Sequence, residues 1–300
     1  MRKDGKKKRI GIWVGIVLIL LVIGAAAVLI LRPDWRFWAK EQILAFFRKA
    51  DWEEKEFEDS ELLRVSPDEL QEMDGIQWND ALYLVNRDHL IPSDKQFDLV
   101  FYKDTDVRMN ACITEAYSRL SEKVKEATGD RLFVRSSYRD KEAQAAVLQE
   151  NPETATEPGA SEHETGLALD VYVSQYGGYG FLKSPAGQYV NSRCSEQGFI
   201  IRYPFGKSEI TGVVHEPWHI RYVGIPHAEL IYRRGQTLEE YLDSLEIGGF
   251  YQYGDSLITR QRMSEEIRLP KDGSSWTASE DGMGNVVLTG NSRKTAAEGG

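Results

Sequence analysis

The sequence predicts an α+β fold, an antiparallel sheet flanked by helices, preceded by a single transmembrane helix and followed by a small β appendage. Three observations carry that prediction. Helix-period and strand-period segments mix between residues 83 and 245 without a regular βαβ repeat. Residues 10–31 form an uncharged apolar run, and after Gly248 short β-prone pieces separated by Gly and Pro take over.

The apolar run is 22 residues long. At about 1.5 Å per residue it spans the roughly 30 Å of a bilayer's hydrocarbon core. Arg2, Lys3, Lys6, Lys7, Lys8 and Arg9 precede it, so the positive-inside tendency keeps residues 1–9 cytoplasmic and places the remainder outside the cell membrane. Val28 to Leu31 continue the run past Ala25–Ala27, which favours an anchor over a cleaved signal peptide. Trp35, Phe37 and Trp38 follow at headgroup level. Residues 32–80, rich in Asp and Glu between 51 and 80, read as a juxtamembrane stalk.

A domain over 81–246 comes next. Tyr83–Val85 is an extended lead-in, and Met109, Ile113, Ala116, Tyr117, Leu120 and Val124 recur at helical spacing, predicting an amphipathic helix from about Val107 to Ala127 that Gly129 ends. Leu132–Ser136 reads as a strand. Asp140 is placed to cap a helix reaching Glu150, which leaves Arg139 on a strand-to-helix turn. Leu167–Val173 alternates as a strand with Asp170 on its less apolar face. A helix over Pro185–Gln197, strands over Phe199–Tyr203 and His219–Val223, and one or two helices over Pro226–Leu245 complete the domain. Residues 247–290 form the β extension and 291–300 a disordered tail.

The 300 residues can bury a substantial core. Net charge is −10, and because residues 1–32 contribute +6, the rest carries −16. So acidic a surface excludes nucleic acid as a partner, since that binding rests on cationic contacts to phosphate. Cys112 and Cys194 are too few for a disulfide framework or a thiolate zinc finger.

Two segments hold most of the metal chemistry, SEHETGLALD from Ser161 and HEPWHIRYVG from His215. The second matches H-E-x-x-H, a motif that works when both histidines share one face of a helix. Pro217 would sit inside that helix, and Val213, Val214, Ile220, Tyr222 and Val223 favour extended chain, so His215 and His219 do not share a face. A site drawn from both segments is better: His163, Asp170 and His219 around a zinc ion with one position open for water, whose pKa falls to about 7. Glu216 can then move the water's proton to the leaving amine, and Arg139 can face the developing oxyanion.

SSYRDKEAQ at Ser136, PGASEHETGLALDV at Pro158, FIIRYPFGKSEITG at Phe199 and EPWHIRYVG at Glu216 together resemble the VanY-type D-alanyl-D-alanine carboxypeptidases. These are zinc peptidases related to VanX dipeptidases, lysostaphin-like enzymes and the hedgehog signalling domain. The resemblance covers roughly Tyr83 to Leu245. It implies His163, Asp170 and His219 as zinc ligands, Glu216 as catalytic base and Arg139 as stabiliser of the transition state, with Gln144 and Ser161 holding the substrate's terminal residue. Ser137 stands where the family commonly has Gly, and Glu164 where Gln is frequent. The implied partners are peptidoglycan stem peptides or precursors ending in D-Ala, and the implied circumstance is resistance to glycopeptide antibiotics.

An L,D-carboxypeptidase trimming tetrapeptide stems would use the same catalytic set with different pocket walls. A non-catalytic zinc-containing wall-binding module would need neither Glu216 nor Arg139, and zincin-type proteolysis would require a helix through Pro217. His89, His215 and His227 read as structural histidines, and Trp218 and Tyr222 as packing residues.

Overall fold

The computed structural model describes residues 3–48, 50–153, 155–271 and 275–291. The chain divides into two units, Met1–Phe47 and Arg48–Gly300. In the first, α1 (Lys3–Leu31) and α2 (Pro33–Phe47) meet at Arg32, where Pro33 brings no N–H to continue the ladder. Among the described residues no single helix is long and apolar enough to cross a membrane. Trp13–Val28 and Pro33–Phe47 pass that test only as a pair bent by 107°. Among the described residues, then, the single span expected over 10–31 is not supported.

The second unit runs β1 (Glu53–Lys55), β2 (Leu62–Val65), α3 (Pro67–Glu72), β3 (Ile76–Asn79), β4 (Leu99–Phe101), β5 (Arg108–Asn110), α4 (Thr114–Thr128), β6 (Phe133–Ser136) and α5 (Lys141–Glu150). It continues through β7 (Ala168–Tyr172), α6 (Pro185–Arg193), β8 (Phe199–Ile201), α7 (Ser208–Thr211), β9 (His219–Tyr222), α8 (His227–Arg234) and α9 (Leu238–Ser244). Five strands close it: β10 (Phe250–Tyr253), β11 (Ser256–Arg262), β12 (Ile267–Pro270), β13 (Trp276–Glu280) and β14 (Asn285–Asn291).

The expected antiparallel sheet is present as β6-β7-β9-β8, every neighbouring pair antiparallel. Its inner face packs Leu167, Leu169, Val171, Phe199 and Ile220 against Ile113, Tyr117, Leu120 and Val124 and against Val190 of α6. The helix predicted from Val107 starts later. Residues 108–110 pair with β4, Asn110 accepts a hydrogen bond from the Cys112 amide (3.2 Å), and a 3-10 turn intervenes before α4. Asp140 caps α5 as expected, accepting from the Ala143 amide at 2.8 Å. Cys112 and Cys194 are free, and burial pushes both thiols up to about 12.

The stalk expected over 32–80 is the larger correction. β1 pairs with β10 and β3 runs parallel to β13, so both join a six-stranded sheet ordered β1-β10-β11-β14-β13-β3, while β2 pairs with β12. The segments before and after the peptidase-like domain thus build one β layer together. Nor is that layer an appendage. Leu82, Ile200, Val223, Leu230, Ile231 and Tyr241 share a continuous apolar core with Tyr251, Ile258 and Val287. The tail expected over 291–300 lies, from 292 onward, outside the described residues.

His227 of α8 is buried at this junction. Its Nδ1 lies 2.6 Å from the Tyr241 hydroxyl and its Nε2 2.9 Å from Oγ1 of Thr289 on β14, so a neutral ring is satisfied at both nitrogens by groups that either donate or accept. Burial alone pushes its pKa down to about 3. An unfolded chain protonates such a ring near pH 6.5 (approximately), hence stability is lost as pH falls from there toward about 3. Between pH 7 and pH 5 the loss from this ring is expected to reach about 2 kcal/mol. Urea midpoints across that range should fall more steeply for the native chain than for His227→Gln, and parallel slopes would contradict the assignment.

Candidate metal centre

The β6-β7-β9 register assembles the site. Asp170 sits directly opposite Ser136 on one side and His219 on the other, and cross-strand partners present their side chains to the same face. A register shift between Val134 and Ser136 bends β6 where the chain leaves for Arg139. His163 comes from a 3-10 turn, Glu162–Thr165, that Gly166 ends at φ +71°. A Cβ at Gly166 would fall 2.6 Å from the Asn110 amide nitrogen, so both the backbone angle and the approach of β5 require glycine there.

The turn is clamped to the Arg139 loop. The Arg139 amide donates to the His163 carbonyl (3.2 Å), and the Ser137 carbonyl lies 2.9 Å from Nδ1 of His163. A carbonyl only accepts, so Nδ1 carries the proton and Nε2 keeps its lone pair. His163 Nε2 lies 3.4 Å from Asp170 Oδ2, and His219 Nδ1 lies 3.1 Å from Asp170 Oδ1. The rings cross at 80° with centroids 5.0 Å apart.

These residues fit zinc. One donor atom from each of His163, Asp170 and His219 lies within 4.8 Å of the others, the one such cluster among the described residues. Ligands about 2 Å from a shared tetrahedral centre sit about 3.3 Å from one another, as these contacts do. Asp170 Oδ1 is buried yet makes no hydrogen bond, although an imidazole nitrogen is 3.1 Å away. With the His163 proton fixed on Nδ1, that ring's Nε2 lone pair and the buried Asp170 oxygens form a donor set suited to a cation.

Glu216 stands beside the cluster, its Oε2 3.7 Å from His219 Nδ1. Residues 213–218 form no helix: the Glu216 amide donates to the Tyr203 carbonyl (3.1 Å), and the His219 amide donates to the Glu216 carbonyl (3.2 Å) across Pro217. His215 points elsewhere, its Nδ1 2.9 Å from the Tyr203 carbonyl, so the H-E-x-x-H reading fails as the proline foretold. Burial pushes the Glu216 carboxyl up, against His219 and Arg139 and with Asp170 adding to the rise. Burial lowers Arg139, with the Asp170 and Glu216 charges opposing, and its Nε is buried without a partner.

Gln144 and Ser161 are also buried. Gln144 spends its Nε2 on the Thr156 carbonyl (2.7 Å) and keeps a buried Oε1 unpaired, while Ser161 begins the His163 turn without a side-chain cap bond. Glu164 accepts from the Gly159 amide at 2.6 Å, which ties the loop before the site to the His163 turn. Trp218 meets Tyr179 edge-to-face and leans on the sheet's core, a packing role as expected.

Sequence reasoning passed over Glu162. It is fully buried and accepts from Arg202 Nε (2.6 Å) and Arg221 Nη1 (2.9 Å). Burial alone would raise its pKa, but the two guanidinium groups outweigh that and hold it well below the usual carboxylate range. The available signal was two arginines embedded in the apolar strands FIIRY and HIRYV, which demand a buried anion.

Comparison with known proteins agrees with this geometry. The family model for VanY D-alanyl-D-alanine carboxypeptidases matches residues 106–225. A D-alanyl-D-alanine carboxypeptidase of Enterococcus faecium is 36% identical over 144 residues, 48% of this chain and 46% of that protein, so the match spans about half of that relative's length. The bifunctional D-Ala-D-Ala dipeptidase and carboxypeptidase VanXYC of Enterococcus gallinarum is 34% identical over 55% of this chain and 95% of its own. The solved structure of VanYB in complex with D-alanine-D-alanine superposes with TM-score 0.50 at 33% identity, covering 55% of this chain and 98% of that one. The D,D-dipeptidase VanXYg superposes with TM-score 0.60 over 77% of this chain and 98% of its own, at 24% identity, a likeness of fold. With the His/Asp/His cluster and its neighbouring glutamate in place, the chain belongs to the VanY family of D-alanyl-D-alanine carboxypeptidases and is a zinc metallocarboxypeptidase.

Proposed function

We propose that this chain is a membrane-tethered D,D-carboxypeptidase that removes the terminal D-Ala from peptidoglycan stem peptides or their precursors outside the cell. The observation that carries the reading is the convergence of His163, Asp170 and His219 with Glu216 alongside. His163 through Nε2, His219 through Nδ1 and Asp170 would hold the zinc, which when bound supplies a Lewis acid for the scissile carbonyl and acidifies a water. Glu216, its pKa raised by burial, accepts the attacking water's proton and returns it to the departing D-Ala amine. Arg139 holds a cation beside Glu216 and Asp170 where negative charge develops on the substrate oxygen. Gln144 and Ser161 hold the terminal residue, Gln144 through its free Oε1.

The tether is supported by the uncharged run over 10–31, its basic flank, and α1 side chains such as Trp13, Leu18, Leu21 and Ile30, which lie exposed. Removing D-Ala-D-Ala termini would also withdraw the target of glycopeptide antibiotics. One experiment tests the reading: the full chain, recovered from the membrane fraction of expressing cells, is incubated with zinc and defined stem peptides and followed by mass spectrometry. Pentapeptide should lose one D-Ala, with chelator abolishing release. Preferential trimming of tetrapeptide would replace the D,D assignment with L,D, and a chain found only in the soluble fraction would remove the tether.

A further inference from the structure

The two metal-site imidazoles are set in opposite orientations. Ser137 fixes the proton of His163 on Nδ1, whereas His219 turns its Nδ1 toward Asp170 and its Nε2 inward, toward Glu162. His219 Nε2 is buried with no hydrogen-bond partner, and so is Glu162 Oε2. The two atoms face each other across 3.7 Å. A donor and an acceptor each left alone in the interior are costly, and closing the gap to hydrogen-bond distance takes about 1 Å.

We propose that Glu162 is a positioning residue of the metal centre: its free Oε2 takes the Nε2–H of His219, which leaves the Nδ1 lone pair of that ring for the metal. The inference rests on the zinc-site reading above. A plain counter-charge for the arginines would spend both carboxylate oxygens, as Glu239 does on Arg202, accepting from Nη1 at 2.9 Å and Nη2 at 2.6 Å. Glu162 instead receives both guanidinium groups on Oε1 and keeps Oε2 for the ring. The arginines are fixed in turn. Arg221 donates to the carbonyls of Ala81 and Tyr83, each at 3.0 Å, and Arg202 is forked onto α9. The carboxylate is therefore held with Oε2 toward the ring, which is how a ligand's outer partner sets its tautomer.

Glutamine at 162 reverses the polarity. Its amide oxygen stays with the arginines, so its NH2 faces His219 and drives the proton from Nε2 to Nδ1, where it blocks the metal. In Glu162→Gln, zinc affinity measured on the full chain by chelator competition should fall about 10–100-fold. Glu239→Gln, which strips the same buried network of a carboxylate without touching the ring, should leave zinc affinity unchanged. Nitrogen–proton correlation spectra of the unaltered zinc-loaded chain with isotope-labelled histidine need no variant to fold: His219 should be protonated at Nε2 and His163 at Nδ1. Ligation of both rings through Nε2, or undiminished zinc affinity in Glu162→Gln, overturns the proposal while leaving the metal centre standing. An unaltered chain that takes up no zinc overturns both.

Discussion

In Glu216→Gln, D-Ala release from a pentapeptide should slow by about 10²–10⁴-fold in kcat, the span general acid–base catalysis typically supplies. Zinc content and KM should stay near those of the native chain. Glutamine keeps the length and the backbone bonds that hold this turn, the amide to Tyr203 and the carbonyl to His219, so the neighbouring ligand is not displaced. What it loses is the basic oxygen. That oxygen lies 3.7 Å from His219 Nδ1, close enough to the cluster to reach a water there, and among the described residues no lysine or arginine is paired with it. Steady-state kinetics beside a zinc determination decide the matter. A fall in kcat with zinc retained marks a proton carrier, and lost zinc marks a structural support. Full turnover would remove Glu216 from the chemistry and reopen the reading of the fold as a wall-binding module.

How far the site was legible follows from how local each part is. His163 and Asp170 lie seven residues apart in one turn-and-strand segment, and Gly166 between them announces the tight turn. His219 was readable because Pro217 excludes the helix that would have paired it with His215. Glu162 was not, since the apolar strands around Arg202 and Arg221 call for a buried anion without saying which one, and only the folded sheet brings both guanidinium groups to this carboxylate. The same holds for the β layer. Glu53–Lys55 reads as solvated chain by composition and becomes an edge strand only because β10 is brought beside it, and β3 is a strand because β13 lies parallel to it. Such short segments carry too few alternations to declare a strand, and their partners are some two hundred residues away. Helix α4 shows the opposite case. Its apolar period is real, but it extends one turn into residues that β4 captures, so periodicity overran a boundary that Asn110 sets.

Arg221→Met should destabilise the Arg48–Gly300 unit by about 3–5 kcal/mol, the cost of removing one partner from a buried charge pair. The guanidinium is fully buried and makes four hydrogen bonds: Nε to the Tyr222 carbonyl at 2.9 Å, Nη1 to Glu162 at 2.9 Å, and Nη2 to the carbonyls of Ala81 and Tyr83. Methionine fills comparable volume, so the loss is not chiefly a cavity. It consists of three carbonyls without a donor and a Glu162 carboxylate with only Arg202 to balance it. Arg221→Lys should recover little, because an ammonium cannot reproduce the fork that reaches two carbonyls and a carboxylate from one plane. Since Ala81 and Tyr83 alternate with Leu82 and Leu84, whose amides donate to Ser279 Oγ on β13 and to the Asp281 carbonyl just beyond it, the loss should be felt across both layers. Urea unfolding followed by tryptophan fluorescence and by far-ultraviolet circular dichroism should move together to a lower midpoint with an unchanged slope. Two separated transitions would show that the β layer unfolds independently of the four-stranded sheet, and a midpoint within about 0.5 kcal/mol of the native chain would show that the buried arginine contributes no more than a surface residue.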